Sequence, residues 1–122
     1  MALELEPKVS KLISNHNLEC VQETENSQNV VLITYPDQFS KDGISKLESF
    51  SVFAERYLKG VFDVIHFLPF CPYSSDNGFS VIDYMRLADG LGSWDDLKRL
   101  GNNYTLMYDF VCNHVSSVGK WA

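Results

Sequence analysis

Three apolar, strand-sized runs constrain this chain most: Val30-Val31-Leu32-Ile33-Thr34-Tyr35, the stretch from Val61 to Leu68, and the stretch from Thr105 to Cys112. Pro36 halts the first and Pro69 the second. Continuous, β-branched runs of this kind suit strands buried on both faces, as in parallel sheets whose crossovers cover them. Both intervals supply the dozen or more residues that a parallel crossover needs. In the first interval Asp42-Gly43 makes a turn, and Ile44, Leu47, Phe50, Ala54, Tyr57 and Leu58 then recur on one helical face, with Gly60 as C-terminal cap. In the second, Ser93-Trp94-Asp95-Asp96 reads as a capping box, Leu97 and Leu100 face inward, and Gly101-Asn102 stops the helix. The order strand, helix, strand, long loop, helix, strand predicts an α/β fold, either an open sheet or part of a barrel.

Ahead of the first run, residues 4–17 carry Leu5, Val9, Leu12 and Ile13 at helical spacing, and residues 19–29 are polar and aperiodic. The expected division is therefore an N-terminal helix and polar loop over 1–29, followed by the α/β unit over 30–122. With 122 residues there is room for one small domain. A net charge of -6 without any run of Lys or Arg argues against nucleic acid or an anionic membrane as main partner. Glu4 and Glu6 interrupt the first ten residues, and no apolar run approaches the ~20 residues of a membrane helix. Three widely spaced cysteines, Cys20, Cys71 and Cys112, suit reduced thiols, and a cytoplasmic location is expected.

Polar groups gather just past the second and third runs, where a parallel α/β sheet holds its ligands. Asp76, Asp83, Asp109 and His114 are the groups expected at this mouth. Asp109 lies in an apolar run, where an unpaired carboxylate would cost several kcal/mol, so something cationic or hydrogen-bonding must face it. It reads as structural support within an active site, with a plain structural ion pair as the alternative. His114, after Asn113 at a strand end, is expected to point into the ligand crevice, whereas His66 inside the second run reads as a buried, hydrogen-bonded structural histidine. Phe79, between Gly78 and Ser80, suits a sugar-stacking platform or a loop anchor equally. The loop from Pro69 to about Gly92 is too rich in Phe70, Tyr73, Phe79, Ile82 and Tyr84 for disorder, and loops of that length are usually functional. Cys71, Cys112 and His114 match no metal-site spacing, Ser74-Ser75 has no nucleophile-elbow context, and Asp89-Gly90-Leu91-Gly92 is a poor phosphate loop.

Taken together, Leu68-Pro69-Phe70, the block from Ser74 through Asp76, Asn77, Gly78 and Phe79 to Asp83-Tyr84, Leu91-Gly92-Ser93-Trp94-Asp95-Asp96 and Asp109-Phe110-Val111-Cys112-Asn113-His114 resemble the α-amylase superfamily of glycoside hydrolases. Within it they are similar to the sucrose phosphorylase branch, and Tyr73-Ser74-Ser75-Asp76 is closer to members acting on sucrose 6′-phosphate or glucosylglycerate. The resemblance runs from about Val30 to Trp121. It implies a (β/α)8 barrel with the site at its C-terminal face, of which this chain would hold the first three βα units. By that resemblance Asp76 holds distal glucosyl hydroxyls, Phe79 lies beneath the ring, His114 bonds the 6-hydroxyl, and Asp109 supports the site through an arginine further along. Asn113, Asp83 and Tyr84 are implied as supporting residues; the Asn113 counterpart binds metal in calcium-dependent amylases, which this branch is not expected to need.

The implied chemistry is retaining glucosyl transfer to inorganic phosphate as co-substrate, with no cofactor. The nucleophile and acid/base of the family follow the third strand, and a barrel takes about 250 residues. The expectation is therefore an N-terminal part of such an enzyme, inactive alone and of low stability because its third strand offers an apolar edge. A hydrolase or transglucosylase of the same superfamily remains an alternative, as does a non-catalytic sugar-binding α/β module. In each case the partner is a small sugar.

Overall fold

A computed structural model describes residues 30–119; the expected helix over 4–17, the polar loop over 19–29 and Trp121 lie outside the described residues. Three strands, β1 (Val31–Thr34), β2 (Val64–Phe67) and β3 (Thr105–Tyr108), form one sheet in the order β1-β2-β3. Both pairings are parallel, and Val31, Val64 and Thr105 stand side by side, as do Thr34, Phe67 and Tyr108. Helices α1 (Lys46–Tyr57) and α2 (Trp94–Gly101) make the two crossovers. The α/β class and the parallel arrangement read from the sequence are thus what the chain adopts.

The core explains which side the helices take. Side chains alternate across a strand, so Leu32, Ile65, Phe67 and Leu106 share one face. Ile65 and Phe67 are fully buried there against Leu47, Phe50 and Ala54 of α1 and Leu97 and Leu100 of α2. Phe50 meets Phe67 edge-on at 5.1 Å, and each such ring contributes about 1.5–3 kcal/mol by leaving water. Tyr104, at the entry to β3, donates its hydroxyl to the Ala54 carbonyl at 2.9 Å and so locks the third strand to α1.

The opposite face corrects the expectation of strands buried on both sides. Ile33 is 61% exposed and Met107 46%, because among the described residues both helices pack on one face only. Three further boundaries differ. Helix α1 begins after Ser45, whose side chain accepts from the Glu48 amide at 3.2 Å; Ile44 stays outside it, and Tyr57 faces solvent. Gly60 has a left-handed φ of 77°, three residues beyond the last helical position. Strand β3 ends at Tyr108, so Asp109 follows the strand rather than lying inside it, and His114 stands well past its end. No helix among the described residues is long and apolar enough to cross a membrane.

The start of α2 is fixed by a reciprocal cap. The Ser93 amide donates to Asp96 Oδ2 at 2.8 Å while the Asp96 amide donates to Ser93 Oγ at 3.3 Å. Gly92 is needed beside it: its φ is 133°, and a Cβ there would lie 2.7 Å from Asp96 Oδ2. Burial acts to raise the Asp96 pKa, but hydrogen bonds from Ser93 and the Arg99 guanidinium outweigh it and hold the carboxyl below its ordinary value. A depressed carboxylate stabilises the fold above its unfolded pKa of about 4 and loses that contribution as pH falls through the lower folded value. Ser93→Ala is expected to cost about 1 kcal/mol in urea unfolding at pH 7, with the gap from the parent narrowing as the solution is acidified through that window. A gap independent of pH would contradict this account of Asp96.

Candidate functional site

In-register strands that end level bring two loops out at one end of the sheet. The loop after β2 begins with Leu68, whose amide still donates to the Thr34 carbonyl at 3.0 Å. It then folds on itself in a way that its lack of sequence period did not announce. Tyr73 and Val81 form an antiparallel bridge, Ser74 N donates to Ser80 O at 3.0 Å, and Ile82 N donates to Pro72 O at 2.7 Å. A 3-10 turn over Asp76–Gly78 closes the end of this hairpin-like loop.

That turn is unusual in its backbone. Asp76 has φ 61°, Asn77 φ 50° and Gly78 φ 102°, three successive residues in the left-handed half of φ. Asp and Asn tolerate this region better than other side chains, and glycine freely. Gly78 is required for a second reason, since a Cβ would fall 2.9 Å from the Pro69 carbonyl oxygen. Asp76 is thereby held exposed at the tip, its carboxylate without a hydrogen bond among the described residues, and Phe79 follows half-buried. A half-open ring agrees with either reading of Phe79, platform or anchor.

The segment after β3 is tied to this loop. Ser116 N donates to Val81 O at 2.9 Å, the Ser116 and Ser74 hydroxyls are 2.7 Å apart, and the Tyr84 hydroxyl donates to the Val111 carbonyl. Ser74 is two residues before Asp76 and Ser116 two after His114, so both sequence blocks lie on one rim. The side chains of Asp76 and His114 form no hydrogen bond with each other. His114 is exposed, and its Nδ1 lies 3.1 Å from Asn113 Oδ1. An amide oxygen only accepts, so Nδ1 is the donor in this contact and Nε2 is left free of it.

Other expected residues take plainer parts. Asp83 Oδ1 accepts from the Met85 amide at 2.9 Å, an Asx turn that shapes the loop, and Tyr84 serves as the tie to Val111. Asp109 does meet a hydrogen-bonding partner: its Oδ1 is 3.2 Å from His66 Nε2. His66 is partly rather than fully buried, 21% exposed at the side chain. Asp109 Oδ2 is covered and has no partner among the described residues. Burial first, and Asp83 second, raise the pKa of Cys71, which keeps that thiol protonated and inert. No group of three metal-ligating side chains occurs among the described residues. A separate cleft of about 220 Å³ borders Tyr35, Asp37, Phe70, Tyr73 and Asn77 but none of Asp76, Phe79 and His114.

No family model matches the chain. Individual proteins do. The glucosylglycerate phosphorylase of Escherichia coli (strain K12) is 49% identical over 92 residues, which are 75% of this chain and 16% of that protein. The sucrose phosphorylase of Streptococcus mutans serotype c is 40% identical over 91 residues, 75% of this chain and 18% of that one. The crystal structure of sucrose 6F-phosphate phosphorylase from Thermoanaerobacter thermosaccharolyticum superposes with a TM-score of 0.70 at 32% identity, covering 81% of this chain and 19% of its own. The chain thus spans less than a fifth of the length of these relatives.

Because Gly78 combines a forbidding φ with a backbone contact, Gly78→Ala is expected to destabilise the chain by roughly 1–3 kcal/mol in urea unfolding and to shift the amide signals of residues 76–79. An unchanged midpoint would show that the turn has another shape.

Proposed function

The chain belongs to the sucrose and glucosylglycerate phosphorylase branch of the α-amylase family, and we propose that its part in that chemistry is to form one side of the subsite that grips the transferred glucosyl group. Residues 30–122 would then be part of a (β/α)8 catalytic domain. The observation that carries the reading is the junction of the two loops at one end of the parallel sheet, made by Ser116 with Val81 and Ser74.

Each group has a task suited to its chemistry. Asp76, exposed and acceptor-only, would take hydrogen bonds from two distal hydroxyls of the sugar. His114 would accept from the 6-hydroxyl through the Nε2 that Asn113 leaves free. Phe79 would offer its open ring face to the apolar C–H face of the pyranose. Residues 69–84 and 109–116 contain no Lys or Arg, so this rim suits a neutral glucosyl unit rather than phosphate or an anionic acceptor. Asp83 and Asp109 are already engaged, and Asp76 is placed to bind hydroxyls. The carboxylate that attacks the anomeric carbon, and the acid that protonates the leaving oxygen before activating phosphate, would therefore come from outside these segments. The free thiols Cys71 and Cys112 suit a reducing cytoplasm.

Titrating the 122-residue chain with glucose, followed by amide NMR, is expected to move signals of Asp76–Phe79 and His114 and to lose that response in Asp76→Ala. The same chain given glucosylglycerate or sucrose with phosphate is expected to release no glucose 1-phosphate. Shifts confined to other residues, or any turnover, would overturn the assignment.

A further inference from the structure

We propose that Ser116, through its hydroxyl pair with Ser74, is a positioning residue that fixes where His114 stands relative to Asp76. The inference rests on the sugar-gripping reading for what these two groups would hold, and adds what keeps them in step. His114 is exposed, and among the described residues the one hydrogen bond of its side chain is to its neighbour Asn113. Strand β3 ends at Tyr108 and does not reach it. Its place is therefore set by the two ends of the segment that carries it, Val111 and Ser116, both buried. The Tyr84 hydroxyl donates to the Val111 carbonyl, and the Ser116 amide donates to the Val81 carbonyl at 2.9 Å. Both anchors thus lie on the loop that also bears Asp76.

A lone backbone hydrogen bond lets a segment pivot, and the bond from Ser116 to Val81 would leave the chain before it free to swing. The hydroxyl pair supplies a second point of attachment, with Ser116 Oγ and Ser74 Oγ 2.7 Å apart. Ser116 Oγ also accepts from the Val118 amide at 3.3 Å, and the Ser116 carbonyl accepts from the Gly119 amide at 3.0 Å. The turn over 116–119 runs close against the Ile82 backbone, since a Cβ on Gly119 would fall 3.0 Å from the Ile82 carbonyl oxygen. A buried hydroxyl is costly to leave short of a partner, so removing Ser74 Oγ favours a rearrangement in which Ser116 finds another. Ser74 stands two residues before Asp76 and Ser116 two after His114, so such a rearrangement moves one candidate group against the other.

The test uses the full 122-residue chain and reads the His114 ring signals by NMR, on the segment opposite the altered loop. Ser74→Ala is expected to shift those signals, and Ser74→Thr, which keeps the hydroxyl, to return them toward the parent's. Adding Ser116→Ala to Ser74→Ala should change them little further, because the two hydroxyls act as one unit. In glucose titrations Ser74→Ala should weaken half-saturation about fivefold, and Ser74→Thr should recover most of it. A lowered urea midpoint with His114 signals untouched would mark a contact of stability alone and overturn the proposal, as would two alanine effects that simply add. A parent chain that ignores glucose would sink the sugar reading, while the His114 signals, taken without sugar, still decide this inference.

Discussion

Level, in-register parallel pairing is the constraint on which the rest depends. Val31, Val64 and Thr105 begin side by side and Thr34, Phe67 and Tyr108 finish side by side, so every loop leaving a strand starts from one height. A slip of one residue would turn Ile65 and Phe67 away from the helices and His66 into the core. It would also separate His66 from Asp109. The full burial of Ile65 and Phe67 against Phe50 and Leu47 is therefore what sets the register, and the register in turn places the polar rim.

Above that ladder the loops are held by buried Val81, Leu87, Leu91 and Val111 and by a set of polar bonds. The Tyr73–Val81 bridge, the Ser74–Ser116 hydroxyl pair and the Tyr84–Val111 bond give the two loops a common frame. Three successive positive φ values at Asp76, Asn77 and Gly78 show where the backbone departs from its easy regions. Such strain persists only where the surroundings enforce it, and here Pro69 fills the space that a Cβ on Gly78 would need. The exposed carboxylate at the tip is the result.

Much of the fold was legible because it follows from local chemistry. Strand-sized β-branched runs ended by proline, a Ser93–Asp96 box and helical spacing of Leu47, Phe50 and Ala54 each act within a few residues. The face-specific burial of β1 was not legible, since Val31 and Ile33 look equally ready for a core whether or not anything covers them. The true N-cap of α1 was available in Ser45 and Glu48, a Ser-x-x-Glu pattern hidden behind the more conspicuous Asp42-Gly43. At the rim, the ordered motifs led to the family and to Asp76, Phe79 and His114 as candidates. The pairing of His66 with Asp109 and of Ser74 with Ser116 left no trace, because each joins residues more than forty positions apart with nothing local to mark them.

The central claim is that residues 30–119 present a glucosyl-gripping rim of the phosphorylase type. It is tested most directly by grafting them in place of the matching stretch of the Escherichia coli glucosylglycerate phosphorylase and measuring glucose 1-phosphate released from glucosylglycerate and phosphate. The account predicts a folded, active graft that loses activity on Asp76→Ala. A folded graft without activity, or one indifferent to Asp76→Ala, would contradict it.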